Sequence, residues 1–188
     1  MVYRLYRVRD VVRIPPEKFS KPLEEAALEE LRKTYEGVIT KNMGIIVTVL
    51  DAKIEPEGKI IPGDGATYHK AEFTLLAFYP FIKEVVEGEV NTVVAHGVFV
   101  DLGASDGFIF INQIADEKID YDPTRPALIL RESRKILEKG DKVRARVYNV
   151  APLPGKGLRV QMTMRQPYLG KIEWIKKELE KQRKSENK

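Results

Sequence analysis

Between residues 86 and 112 the chain reads Val-Glu-Gly-Glu-Val, then His-Gly-Val-Phe-Val-Asp-Leu-Gly, then Asp-Gly-Phe-Ile-Phe-Ile-Asn. Successive side chains of an extended strand point to opposite faces, so Phe99 and Asp101 oppose Val98, Val100 and Leu102, and Phe108 and Phe110 oppose Ile109 and Ile111. Rings presented on such a face, with His96 beside them, can stack on unpaired bases at about 1–3 kcal/mol each, and cations such as Lys156 and Arg159 can neutralise phosphates. The competing role is packing beneath loops or against the N-terminal part of the chain, and Phe108 is the least clearly placed of the rings. No catalytic, metal or cofactor chemistry is legible: there are no Cys and only two His. Neither His69 nor His96 has a nucleophile or ligand cluster nearby in sequence. Gly155-Lys156-Gly157 and Gly63-Asp64-Gly65 both lack the spacing of a phosphate-binding or dinucleotide loop. Catalytic residues, metal ligands and cofactors are therefore all expected to be absent.

The elements that would hold these residues follow from the apolar periodicity. Val2 to Arg9 alternates as a strand. Ser20 before Lys21-Pro22 reads as a cap and first-turn proline for a helix over 21–36, with Leu23, Ala27, Leu28, Leu31 and Tyr35 on its inner stripe and Gly37 as its stop. Gly44 to Leu50 reads as a buried strand, followed by turns at Glu57-Gly58 and Pro62-Gly63-Asp64-Gly65, and Tyr68 to Tyr79 as a long strand stopped by Pro80. The first 80 residues thus predict one helix on an antiparallel sheet. From Val85 short strands are punctuated by glycine: 85–95, 97–102, 107–111, 142–150 and 158–164. The stretch 116–126 reads as a polar excursion and 132–139 as two helical turns. Five strands suit a small closed barrel of OB type, whose ligand surface is the face of its second and third strands with the loops joining strands one to two and four to five. His96 falls in the first of those loops, and Lys156 and Arg159 fall in or beside the second. Arg144, Arg146 and Tyr148 share a face of strand four directed elsewhere, toward solvent or a protein. Ile172, Ile175 and Leu179 mark a terminal helix.

The 188 residues carry 43% hydrophobic and 32% charged side chains, enough apolar content for a core and too much for general disorder. The longest uncharged apolar-rich run, Phe73 to Ile82, is half of what a bilayer span needs, and the Arg-containing N-terminus lacks the pattern of a signal peptide. A cytoplasmic location is expected. The net charge of +4 is uneven. Residues 1–81 are neutral and 82–140 carry 7 basic against 11 acidic side chains, whereas 141–170 carry 6 against 1 and 171–188 carry 7 against 4.

With these residues in view, 82–165 resembles the RNA-binding domain first named in ribosomal protein S-one, an OB-fold variant. The shared marks are the acidic-Gly-x-Val opening, Gly97-Val98-Phe99-Val100, Asp106-Gly107 with its alternating sequel, and the basic alternating strands Gly140 to Val147 and Leu158 to Thr163. Two positions depart from that pattern: Phe110 stands where the family has a strand-three His, and Ala151 where it often has an acidic residue. Base-specific hydrogen bonding is put in doubt by both.

Asp51, Gly58 to Gly65, Tyr68-His69-x-Ala71-x-Phe73 and Phe78 to Phe81, running directly into the barrel, extend the likeness. The whole chain resembles the family of larger stalk subunits (E-prime) of archaeal DNA-directed RNA polymerase, which has counterparts in the eukaryotic nuclear polymerases. The resemblance implies an α+β, truncated RNP-like N-terminal domain (1–81), an all-β OB-fold barrel of S-one type (82–166), and a C-terminal helix with a charged tail (167–188). It implies a non-catalytic protein that forms a heterodimer with the small stalk subunit, termed F, docks on the polymerase core near the clamp and RNA exit path, and binds nascent single-stranded RNA. Support of initiation, elongation and termination, contact with general transcription factors and no membrane association come with it. Pro62, Gly63, Asp64 and Gly65 are the expected docking tip. The alternatives are a free-standing RNA-binding factor of translation or RNA decay and, least favoured, a hydrolytic enzyme using Asp64, His69 and Asp101.

Overall fold

The computed structural model describes residues 2–153 and 157–186, and the chain divides between Tyr79 and Pro80 into two compact units. In the first, Tyr3–Ile14 (β1), Leu23–Tyr35 (α1), Ile39–Thr40 (β2), Gly44–Ile60 (β3) and Thr67–Phe78 (β4) form an antiparallel sheet of order β1-β4-β3-β2 with α1 against one face. Val12, Ile14, Ile46, Val49, Phe73 and Leu75 supply the sheet side of the core, and Ala26, Ala27 and Leu31 the helix side. The helix begins one residue after Pro22, whose carbonyl accepts from the Ala26 N–H, and the expected Ser20 cap is not made. Ser20 lies two positions before the capping residue, outside the reach of a cap to the first free N–H groups. Gly37 does end the turn: its φ of +78° swings the chain away, and its N–H donates to the Ile46 carbonyl instead of into the helix.

Strands β1 and β3 run further than the sequence predicts, to Ile14 and Ile60. Glu57-Gly58 is accordingly not a turn but part of a bulge, where the β3–β4 register slips between Ile54 and Gly58. His69 occupies the space so made and is 6% exposed. Its Nδ1 donates to the Glu55 carbonyl at 2.9 Å and its Nε2 bonds the Thr67 hydroxyl at 3.1 Å. The ring covers Gly58 so closely that a Cβ there would lie 2.5 Å from it.

The second unit holds Val85–Val94 (β5), Gly97–Asp101 (β6), Asp106–Phe110 (β7), Ile119–Asp122 (β8), Ala127–Leu130 (β9), Ile136–Glu138 (β10), Lys142–Leu153 (β11), Gly157–Thr163 (β12), Gly170–Lys171 (β13) and Ile172–Glu186 (α2). Strands β12-β7-β6-β5-β11 are neighbours in that order and β11 pairs back with β12, which closes a five-stranded barrel; β7 and β12 are parallel and the other barrel pairs antiparallel. This is the OB topology expected from the strand count. Val90, Val98, Val100, Ile109, Val143, Val147, Val160 and Met162 fill its interior. Strands β8, β9 and β10 make a separate small sheet.

That small sheet corrects one expectation. The excursion 116–126 lies between barrel strands β7 and β11 as expected and contains β8, whereas 132–139 is not helical: it forms the turn and strand β10, with Ile136 opposite Ile129 and Leu137 opposite Leu128. Leu128 and Leu137 are both fully buried, so pairing that seats two leucines outweighs the weak helical preference of a charged octapeptide. Helix α2 is tethered at its start by the Lys171–Asp141 ion pair at 2.7 Å, of which both partners are mostly covered, and by buried Ile175.

Candidate nucleic-acid interface

The barrel presents His96, Phe99, Phe108 and Phe110 as one aromatic group. Cross-strand register sets Phe99 opposite Phe108 and Gly97 opposite Phe110. Phe108 is the hub, with ring centroids 5.5 Å from His96, 4.7 Å from Phe99 and 4.7 Å from Phe110, the last pair edge to face. Phe99 is 36% exposed and His96 is exposed, whereas Phe108 and Phe110 are half-buried. The close fit of Phe108 depends on Gly97, since a Cβ there would stand 2.8 Å from the ring's Cζ and nearer still to the Ile109 carbonyl oxygen. The glycine spacing of the motif is therefore a packing requirement of the hub ring.

Strand β12 continues this face. Gln161 is in register with Phe108, and the Asn149 side-chain amide donates to the Gln161 carbonyl oxygen at 2.8 Å. These two amides were not among the residues singled out from the sequence. Their signal was present in the alternation of β12, where Leu158, Val160 and Met162 face inward and Arg159 and Gln161 outward, but the parallel β7–β12 pairing that sets Gln161 beside Phe108 has no local sequence mark. Arg159 is exposed in β12, one residue before the pair Val160–Gly107 and thus beside Asp106. Lys156 lies outside the described residues.

The opposite end of β6 and β7 is acidic. Asp101 faces Asp106 directly, and Glu89 faces Asp101 from β5. Burial and then the neighbouring Asp101 carboxylate raise the Asp106 pKa. The face is thus graded, from aromatic rings and amides at the His96 end to carboxylates at the Asp101 end. A polyanion is repelled from the latter, and flat rings at the former offer stacking without base selectivity. On β11 the Arg144 guanidinium is paired with Glu87 at 2.7 Å, and the Arg146 Nε is buried without a hydrogen-bond partner among the described residues.

In the first unit, Pro62 to Gly65 form the turn between β3 and β4. Gly63 has φ +91° in open space, a conformation glycine adopts without cost. Asp64 faces inward to its own domain: it accepts from Arg13 Nε and Nη2 at 2.9 and 2.7 Å, from the Tyr68 hydroxyl at 2.6 Å and from the Ala66 N–H at 3.2 Å. Arg13 first, then Tyr68, holds its carboxyl well below the usual carboxylate range. What the turn offers outward is apolar: Ile60 is 73% and Ile61 48% exposed, alongside exposed Pro62 and Gly63. Neither isoleucine stands out in the sequence, because their exposure follows from the length of β3.

The residues of the hydrolytic reading are each engaged elsewhere. Both ring nitrogens of His69 are bonded within the bulge, Asp64 is held by Arg13 and Tyr68, and Asp101 accepts from the Gly103 N–H at 2.8 Å.

Comparison with known proteins adds the following. The family described as "SHS2 domain found in N terminus of Rpb7p/Rpc25p/MJ0397" matches residues 9–65, and the "S1 RNA binding domain" matches residues 79–152. The DNA-directed RNA polymerase subunit Rpo7 of Saccharolobus shibatae is 49% identical over 93% of this chain and 97% of its own length. Rpo7 of Sulfolobus acidocaldarius is 44% identical over 96% of this chain and 98% of its own. Subunit RPC8 of RNA polymerase III from Saccharomyces cerevisiae is 29% identical over 78% of this chain and 71% of its own.

Proposed function

We propose, from the premise that this chain belongs to the Rpo7 family of DNA-directed RNA polymerase subunits, that it is the non-catalytic stalk subunit which carries emerging single-stranded RNA on its barrel. The observation that supports this reading most is the aromatic group around Phe108, ringed by His96, Phe99 and Phe110 on the exposed side of an S1-type barrel. Arg159, exposed on β12, contributes the cation of that neighbouring strand. Stacking of this kind holds a strand without reading its sequence, as a protein that meets every transcript requires. The absence of a catalytic role is supported by the engagement of Asp64, His69 and Asp101 in hydrogen bonds that fold their own elements.

The first domain is the attachment. Its β3–β4 turn, Pro62-Gly63-Asp64-Gly65, docks on the polymerase core near the clamp and the RNA exit path. In this reading Asp64 is the internal brace that fixes the turn through Arg13 and Tyr68, while Ile60, Ile61 and Pro62 make the contact. The chain pairs with the small stalk subunit as a heterodimer in the cytoplasm, meets general transcription factors at the promoter, and through RNA contacts supports open-complex formation, elongation and termination. Its boundaries follow the division of labour: 1–81 for docking, 82–166 for RNA, and 167–188 as helix and tail. Reconstitution with the small stalk subunit and core polymerase, followed by RNA crosslinking, tests this. The expected result is a stable complex in which the transcript crosslinks to the β6–β7 face. A chain that stays monomeric beside both partners supports the free-standing RNA-binding factor instead.

A further inference from the structure

A concentration of positive charge around an aromatic ring lies on elements that contribute nothing to the β6–β7 face. The turn before β10 and the exposed side of α2 flank a groove of about 710 Å³, lined among others by Arg134, Lys135, Trp174, Lys177, Lys181 and Lys184. Lys177, Lys181 and Lys184 follow each other at i, i+4 and i+7, which sets three ammonium groups along one side of the helix, with Glu173 and Glu180 each four residues before one of them. Across the groove, Arg134 is held at φ +53°, in the left-handed region that non-glycine residues disfavour. Its turn is fixed by the Glu117 carboxylate, which accepts from the Glu132 N–H at 2.7 Å, the Ser133 N–H at 2.8 Å and the Ser133 hydroxyl at 2.6 Å. Lys135 sits over the half-buried Trp174, its Nζ 5.3 Å from the ring centre.

Several guanidinium groups of the same unit are neutralised by carboxylates. Arg125 is paired with Glu138, Arg131 with Asp120, Arg144 with Glu87 and Arg165 with Asp116. No ion pair to another described residue is made by Arg134, Lys177, Lys181 or Lys184. Three glutamates also line the groove, of which Glu173 is engaged by Lys171 at 3.6 Å. The row of unpaired lysines matches a ligand whose negative charges repeat along a line, and the ring matches a ligand with an unpaired flat group, a feature a duplex does not offer.

We infer that the groove between α2 and the β9–β10 turn is a second contact for single-stranded RNA, in which successive phosphates lie along Lys177, Lys181 and Lys184 and one base stacks on Trp174 in place of the Lys135 ammonium. The choice of RNA as the strand rests on the RNA-binding reading of the aromatic face, but the groove uses none of its residues.

Trp174 is the only tryptophan of the chain, so its emission reports on this groove alone. The experiment is a titration of the full chain with labelled oligouridylate, reading total binding by anisotropy of the label and groove occupancy by tryptophan emission. The inference expects both signals to change over the same concentration range. In Lys177→Gln/Lys181→Gln, whose side chains are exposed, it expects about tenfold weaker binding and a salt slope smaller by about 1.4, the share of two phosphate contacts on a single strand. In Phe99→Ala/Phe108→Ala total affinity falls but the tryptophan response persists at higher RNA. If anisotropy saturates while tryptophan emission and the salt slope of the lysine variant stay as in the native chain, the groove inference is overturned and the aromatic-face reading survives. If emission responds and the phenylalanine variant binds like the native chain, the aromatic-face reading falls and the groove stands. An emission change elicited by a protein partner and not by RNA also overturns the inference, in favour of an acidic protein surface.

Discussion

Phe108 bears the greatest load in the RNA-binding reading, because it touches His96, Phe99 and Phe110 together. Replacing it by alanine removes a stacking surface worth about 1–3 kcal/mol and also frees the other rings, so Phe108→Ala is expected to weaken oligouridylate binding more than Phe110→Ala, as measured by anisotropy. Gly97→Ala is expected to act by the same route with the ring still present: the added Cβ displaces Phe108 and presses on the Ile109 carbonyl, so melting temperature and RNA affinity fall together. The rings were legible in the sequence because strand alternation puts them on one face. That the least clearly placed one is the hub was not, since its position depends on a cross-strand register and on room left by Gly97. Asp64 shows the same limit: it looks like a turn residue, and its partner Arg13 lies 51 positions away. Its depressed pKa gives a signed expectation. The brace contributes stability above the unfolded carboxylate value of about 4 and loses it as pH falls below that value toward the folded pKa. The gap in denaturant midpoint between the native chain and Asp64→Asn should therefore be widest near neutral pH and close on acidification.

At the scale of elements, the strands of the barrel were readable from β-branched runs and glycine punctuation, and their order from the resemblance to a known barrel. The small sheet β8-β9-β10 was not, because its residues are charged and turn-rich and its stability comes from Leu128, Leu130 and Leu137 buried on the barrel side of the chain's second unit. Leu137→Ala is expected to cost about 2–5 kcal/mol by urea unfolding, as for a fully buried leucine. A helix exposed to solvent over the same residues would lose far less. The bulge in β3 carries a parallel lesson. Glu57-Gly58 has the composition of a turn, yet His69 from the neighbouring strand draws Glu55 to Gly58 around its ring and the strand resumes. A turn signal of two residues cannot report a side chain that arrives from the next strand.

Across the whole molecule, the mild net charge conceals a division into a neutral first unit, a barrel whose first strands are acidic, and a basic closing segment and helix. In the proposed reading the aromatic β6–β7 face therefore meets RNA by stacking rather than by net charge, and the basic excess lies in the strands and helix that follow. Attachment is tested at the tip: Ile60→Asp/Ile61→Asp changes exposed side chains only and should leave melting unchanged, while recovery with core polymerase in a pull-down falls severalfold. The most direct test of the central claim is the equilibrium affinity of the full chain for labelled oligouridylate at about 0.1 M salt, native against Phe99→Ala/Phe108→Ala, with folding checked by circular dichroism. Loss of two stacking rings predicts about tenfold or greater weakening in the variant with its fold intact. Equal affinity of the folded variant and the native chain would contradict the account.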